Sequence, residues 1–207
     1  MKKIFLISIL TVITFCGFSQ ITNRNIVLDK IAASIMENSP VLIEGDCTIS
    51  NEELDISENF PTTLIVDKTE FILEFNETTI ISTNKDFINI NNDIKEITIL
   101  DKKDAEEELG INPFVLLINN KEYFESKIVE RKKNNLILEL NSKKPNLFKK
   151  ATLTINISQN KISEIVFIDE NDTEYDYVIT SFKNNVANKK IKFDQKDYPN
   201  YSIIDMR

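Results

Sequence analysis

The chain has 207 residues, 25 basic against 33 acidic, with a formal net charge of −8 and no histidine. That acidic balance argues against a nucleic-acid partner, whose phosphates need a basic surface. The missing histidine excludes serine–histidine and cysteine–histidine nucleophile pairs and removes the commonest transition-metal ligand.

Residues 1–19 read as an export signal. Lys2 and Lys3 form the basic end, Ile4 to Phe15 the apolar stretch, and Gly17 and Ser19 supply small residues for cleavage after Ser19. The competing reading, a lipid anchor on Cys16, is disfavoured by bulky Phe15 before it and apolar Phe18 after it. No other run is long enough to span a membrane. Cleavage leaves 188 residues with a charge of −10, a length that suits one domain, residues 20–207. Only Cys47 then remains, so neither an intramolecular disulfide nor a structural zinc site is expected. With no histidine to activate it, Cys47 reads as a small strand residue.

The mature chain opens with a helix, TNRNIVLDKIAASIMENSP, in which Val27, Leu28, Ile31 and Ile35 recur at helical spacing. Asn23 or Asn25 can cap it, and Pro40 closes the segment. Short strands follow: VLIEGDCTI, TTLIV, FILEF, TIIS, FINI and EITIL. Alternation is clear in FILEF, where Phe71, Leu73 and Phe75 oppose Ile72 and Glu74. Residues 101–119 interrupt the strands. DKKDAEEELG reads as a short helix ended by Gly110, and INPFVLLIN as a second, capped by Asn112 with Pro113 in its first turn. Phe114 to Ile118 leave this second helix without a polar stripe, so it must be covered on more than one side. It is either core filler or a lid over an apolar cavity.

Beyond it come YFESKIVER, NLILELN, ATLTINIS, SEIVFID and EYDYVITSF, joined by polar turns such as SQNK and ENDT. The fold expected is mainly β with helices: an antiparallel meander that curls into a barrel or half-open barrel. The acids at Asp169, Glu170, Asp172, Glu174 and Asp176 lack the glycine and closing glutamate of a calcium loop and read as a solvated hairpin. No metal site, cofactor or catalytic residue is expected. A hydrolase would need two carboxylates converging in a cleft.

Four stretches together carry a family resemblance: TTLIVDKTEFILE; ISTNKDFININNDIKEITI; INPFVLLI; and LTINISQNKISEIVFIDENDTEYDYVITSF with the closing KFDQKDYPNYSIIDMR. In order and spacing they resemble LolA, the periplasmic carrier family for outer-membrane lipoproteins, and the closing segment looks most like Bacteroidetes-type members. The resemblance implies an incomplete barrel of antiparallel strands with an N-terminal helix and a helical lid. Acyl chains of a lipoprotein cargo would enter its apolar interior. It also implies a monomer in the periplasm, loaded by an inner-membrane releasing complex and unloaded by an outer-membrane acceptor. The lid residues carried over are Pro113, Phe114, Leu116 and Leu117. Lys68 stands where many members place a turn arginine bonded to the lid, and lacks arginine's planar five-donor fork. Asn84 replaces the glycine of a Gly-Lys turn. Phe71, Ile72, Leu73 and Phe75 are the candidate strand residues of the acyl-chain cavity. The alternative is a divergent paralogue that binds another lipid or acts as a non-catalytic scaffold.

Overall fold

The computed structural model describes residues 24–106, 124–143, 148–186 and 191–207. Helix α1 (Arg24–Glu37) precedes a meander of strands: β1 (Val41–Asn51), β2 (Ile56–Asp67), β3 (Glu70–Phe75), β4 (Thr78–Ser82), β5 (Asp86–Asn91) and β6 (Glu96–Asp101). After a 3-10 turn at Asp104–Glu106 come β7 (Phe124–Lys132), β8 (Asn135–Ser142), β9 (Lys150–Asn156), β10 (Lys161–Ile168) and β11 (Glu174–Lys183). A second 3-10 turn, Gln195–Asp197, leads to β12 (Ser202–Asp205).

All twelve strands form one open sheet in the order β12-β6-β5-β4-β3-β2-β1-β11-β10-β9-β8-β7. The two hairpin runs meet where β1 pairs with β11, and every pairing is antiparallel except that of β12 with β6. The expectation of a wholly antiparallel sheet is therefore corrected at this edge. The residues after Lys183 run back along the sheet, so β12 enters beside β6 in the same direction. The other edge, β7, carries Lys127, Glu130, Arg131 and Lys132 and a bulge between Ile128 and Glu130. Both features discourage edge-to-edge pairing with another chain.

Tight turns need left-handed residues, and with few glycines the chain uses Asn76, Asn160, Asn185, Asp55 and Asp172, together with Lys68 and Lys95. Gly45 serves a different need. The β1–β11 register shifts between Glu44 and Gly45, and a Cβ at residue 45 would overlap the Val178 carbonyl oxygen.

The sheet is apolar on two faces. On the side of α1, one cluster joins Val27, Leu28, Ile31 and Ile35 of the helix to Leu64, Val66, Phe71, Leu73 and Phe87. It continues through Leu136, Leu138, Leu140, Leu153, Ile155, Ile165 and Phe167 of the later strands. On the opposite face Ile81, Ile88, Ile90, Ile97 and Ile99 form a second cluster. Ile191, Phe193, Tyr198, Tyr201 and Ile203 of the C-terminal segment pack on it. Each fully buried side chain of this size stabilises the fold by about 1.5–3 kcal/mol, so neither face can be left uncovered cheaply.

The predicted strands are all present. The expected helix at 101–110 is a 3-10 turn at Asp104–Glu106 as far as the described residues reach, with Ala105 buried against the α1-side cluster. Residues 1–19, the remainder of that helix and INPFVLLIN lie outside the described residues.

Candidate binding surface

The α1-side face is the candidate surface, because the longest continuous apolar lining lies there. Cross-strand pairing builds it residue by residue: Ile43 faces Leu64, Leu64 faces Leu73, and Leu73 faces Ile80. On the other arm Tyr177 faces Ile165, Ile165 faces Leu153, and Leu153 faces Leu138. A line of rings crosses this arm. Phe124 stacks on Phe148 at 5.2 Å, Phe148 meets Phe167 edge-on at 5.7 Å, and Phe167 meets Tyr177 at 6.0 Å. Offset and edge-on ring pairs add rigidity beyond the area they bury.

Two small hollows open on this face. One, of about 40 Å³, lies at the β1–β11 bulge between Ile43, Gly45, Thr62, Leu64, Leu73, Ile165, Tyr177 and Ile179. The other, of about 50 Å³, lies between α1 and the β9–β10 turn. Small-molecule sites measure roughly 300–1,000 Å³, so each of these two hollows is far smaller than such a site. A larger depression of about 790 Å³ is open, lies at the sheet rim around Lys102 and Arg207, and is lined by polar and charged residues.

The polar atoms on the α1 side are unusual. Thr62 Oγ1, Ser82 Oγ, Asn89 Oδ1 and the Tyr177 hydroxyl are buried without a hydrogen-bond partner. All four belong to side chains on this face by strand register. Burial pushes the Cys47 thiol up to about 11, with the neighbouring Tyr177 hydroxyl offsetting a part. Cys47 is accordingly protonated and unreactive at neutral pH, as expected of a small strand residue. Burial raises the Tyr177 phenol well above its ordinary value. On the opposite face Asp176 is also raised, by burial first and then by Glu164 and Glu174. Among the described residues no group of three or more cysteine, aspartate or glutamate side chains converges to hold a metal ion.

The strand residues singled out from the sequence divide between the faces. Phe71 and Leu73 are buried in the α1-side cluster, and Phe75 packs against it. Ile72 does not join them. It packs with Ile81 and Ile88 on the opposite face, because successive strand residues alternate and Phe71 and Leu73 already occupy the α1 side. Ile72 thus lies on the face opposite the other three strand candidates. Pro113, Phe114, Leu116 and Leu117 lie outside the described residues.

Lys68 occupies the β2–β3 turn with φ 56°, and its backbone N–H donates to Ser39 Oγ at 3.0 Å, tying the turn to the end of α1. A rim cation that sequence reasoning did not single out, Lys102, bridges two turns. Its Nζ donates to Thr69 O at 2.9 Å and Thr83 O at 2.8 Å, joining the β2–β3 and β4–β5 turns. Burial lowers the Lys102 pKa, and Glu70 offsets part of that. Asn84 contributes by bonding rather than by left-handed geometry: its Oδ1 accepts from Thr69 Oγ1 and its N–H donates to Glu70 Oε1.

A protein-family model described as "Outer membrane lipoprotein carrier protein LolA" matches residues 74–196, more than half of the chain. The solved structure of an uncharacterized conserved protein from Thermus thermophilus is 12% identical, with a TM-score of 0.49 over 87% of this chain and 98% of that one. A LolA superfamily protein from Nitrosomonas europaea is 9% identical, with a TM-score of 0.46 over 84% and 96%. No curated protein matches the sequence.

Proposed function

The chain belongs to the LolA family, the outer membrane lipoprotein carrier proteins, and from that membership we propose that it is a periplasmic carrier of lipoprotein acyl chains. The observation that carries the reading is the family match combined with an open sheet whose α1-side face is predominantly apolar from β3 across to β8. In this reading the sheet forms a half-open barrel, the helix INPFVLLIN covers its interior, and chains enter when that helix moves aside. Residues 1–19 direct export. Cargo passes from an inner-membrane releasing complex to an outer-membrane acceptor.

The energetics suit a carrier that does no chemistry. At about 0.8 kcal/mol per methylene, a chain of roughly fifteen methylenes loses on the order of 12 kcal/mol on entering water. A soluble carrier must offset nearly all of this by burial against Ile, Leu, Val and Phe. One-way transfer then requires only that each successive partner bind the chains better.

Titration of the mature protein with a fluorescent acyl probe tests the proposal. The expected result is saturable binding at about one site per protein, displaced by a diacylated lipopeptide. The second reading is a divergent paralogue that binds another lipid or acts as a non-catalytic scaffold. Absence of saturable binding at low micromolar protein would select that scaffold and overturn the carrier.

A further inference from the structure

We propose that the hollow at the β1–β11 bulge is a polar reading point within the apolar face, and that Thr62 and Tyr177 donate there to the neutral carbonyl oxygen of an acyl ester or amide. The proposal rests on the carrier reading above and specifies which part of the ligand lies at this place.

The two side chains flank β1. Thr62 is opposite Gly45 on one side and Tyr177 is opposite Cys47 on the other, and residues 45 and 47 share a face of the strand. Both side chains line the hollow and both are more than nine-tenths buried; the Thr62 hydroxyl has no hydrogen-bond partner, and the Tyr177 hydroxyl has at most the Cys47 thiol. Tyr177 has the Cys47 thiol beside it, and a thiol is a weak acceptor. A buried hydroxyl without a partner costs stability that valine and phenylalanine, of nearly the same shape, would not incur. Two such costs at one hollow call for an explanation, and an acceptor that arrives with the ligand supplies it. Each hydroxyl hydrogen can rotate about its C–O bond, but both oxygens are buried, so donation to a ligand requires the apolar side chains around the hollow to give way slightly.

The charge of the acceptor follows from the lining. Among the described residues no lysine or arginine lines the hollow. An ionised carboxylate brought here would lose its hydration without a counter-charge, whereas an ester or amide carbonyl would not. The hollow therefore selects acyl groups in covalent linkage over free fatty acids. Its volume of about 40 Å³ suits a group of a few atoms, with the hydrocarbon lying along Leu64 and Leu73.

The test uses a long-chain ester, the ether of equal length and the free fatty acid, each competed against a bound acyl fluorophore. Wild type, Thr62→Val, Tyr177→Phe and the double variant are compared. The expected preference of wild type for ester over ether is about fivefold per hydroxyl, disappearing in the double variant while ether affinity is unchanged. Fatty acid should bind more weakly than ester at neutral pH. Neither single substitution should lower the melting temperature of the lipid-free protein appreciably, because Thr62 loses no partner and Tyr177 loses only a weak contact with the Cys47 thiol. An ester preference that survives both substitutions would overturn the proposal. So would a clear fall in melting temperature in both single variants, which would mean that a buried water already satisfies the hydroxyls. Saturable binding of ester and ether with equal affinity in wild type defeats the proposal alone. Failure of every probe to bind defeats the carrier reading, and the proposal with it.

Discussion

The two faces of the sheet bury similar residue types to different ends. The α1-side cluster spans both arms, mixes aliphatic and aromatic side chains, and retains four orphan polar atoms and two hollows. The opposite cluster has a core of five isoleucines confined to β4, β5 and β6, closed by Tyr198, Tyr201 and Phe193 with ring contacts of 5.2–5.7 Å. No orphan polar atom lies among those five isoleucines, and Tyr201 donates its hydroxyl to Asn92 Oδ1 at 2.9 Å. The second face is organised as a seal where the C-terminal segment covers it, although Asp176 Oδ1, farther along that face on β11, is also buried without a partner. The first keeps unmet bonding capacity, which a purely structural core has no reason to hold.

The sharpest way to break this contrast is to remove residues 191–207. The five isoleucines are at most 6% exposed, and uncovering them forfeits on the order of 10 kcal/mol, comparable with a whole domain's stability. The shortened protein should show no cooperative thermal transition by circular dichroism. A sharp melt near the intact protein's temperature would mean the segment is an ornament.

Neighbours on one strand sharpen the contrast further. Leu73→Ala, in the α1-side core, should cost about 2–5 kcal/mol and change acyl-probe affinity. Ile72→Ala, one residue away on the opposite face, should destabilise less, since Ile72 is half-buried, and should leave probe affinity unaltered. Equal effects on binding would show that the faces are not functionally separate.

The smallest effect is at the C-terminal edge. Hydrogen bonds from Arg207 hold the Asp205 carboxyl down to about 2, and Arg207 also bonds Asp86 at 3.1 Å. A carboxylate held below its ordinary value adds stability that is full above that value, near 3.8, and is lost as pH falls through about 2. Arg207→Ala should lower the melting temperature slightly at neutral pH and flatten its dependence between about pH 4 and 2. An unchanged pH profile would mean the bonds contribute nothing.

Much of this fold is legible in the chain's own pattern. Alternation in FILEF and NLILELN marks strands without ambiguity, and Val27, Leu28, Ile31 and Ile35 mark α1. The first half of β2 was not legible: ISENFP carries an acid and a proline and is largely exposed, so it is held by pairing with β1 rather than by its own burial. Nor was the parallel docking of β12, since long-range register leaves no local signal. Ile72 shows a subtler limit. Its orientation away from Phe71 and Leu73 could be read, but not that the other face would be covered by the chain's last residues. Lys102 and the hydroxyls of Thr62 and Tyr177 carry no sequence signature, because their roles arise from turns and strands brought together across the sheet.

The parallel pairing of β12 has a consequence in time. Its partner β6 precedes it by about a hundred residues, and nearly everything between must be made before the two can meet. A chain that folds as it is synthesised or threaded through a membrane will have completed the β2–β6 hairpins well before its tail arrives. Throughout that interval Ile81, Ile88, Ile90, Ile97 and Ile99 form a naked aliphatic stripe beside an unpaired strand edge, which is the surface on which nascent chains aggregate. Docking of the tail ends the hazard by covering the stripe and pairing the edge at once. The yield of folded protein should therefore depend on how long the newborn hairpins wait, and a holdase that shelters extended apolar strands would act in that window.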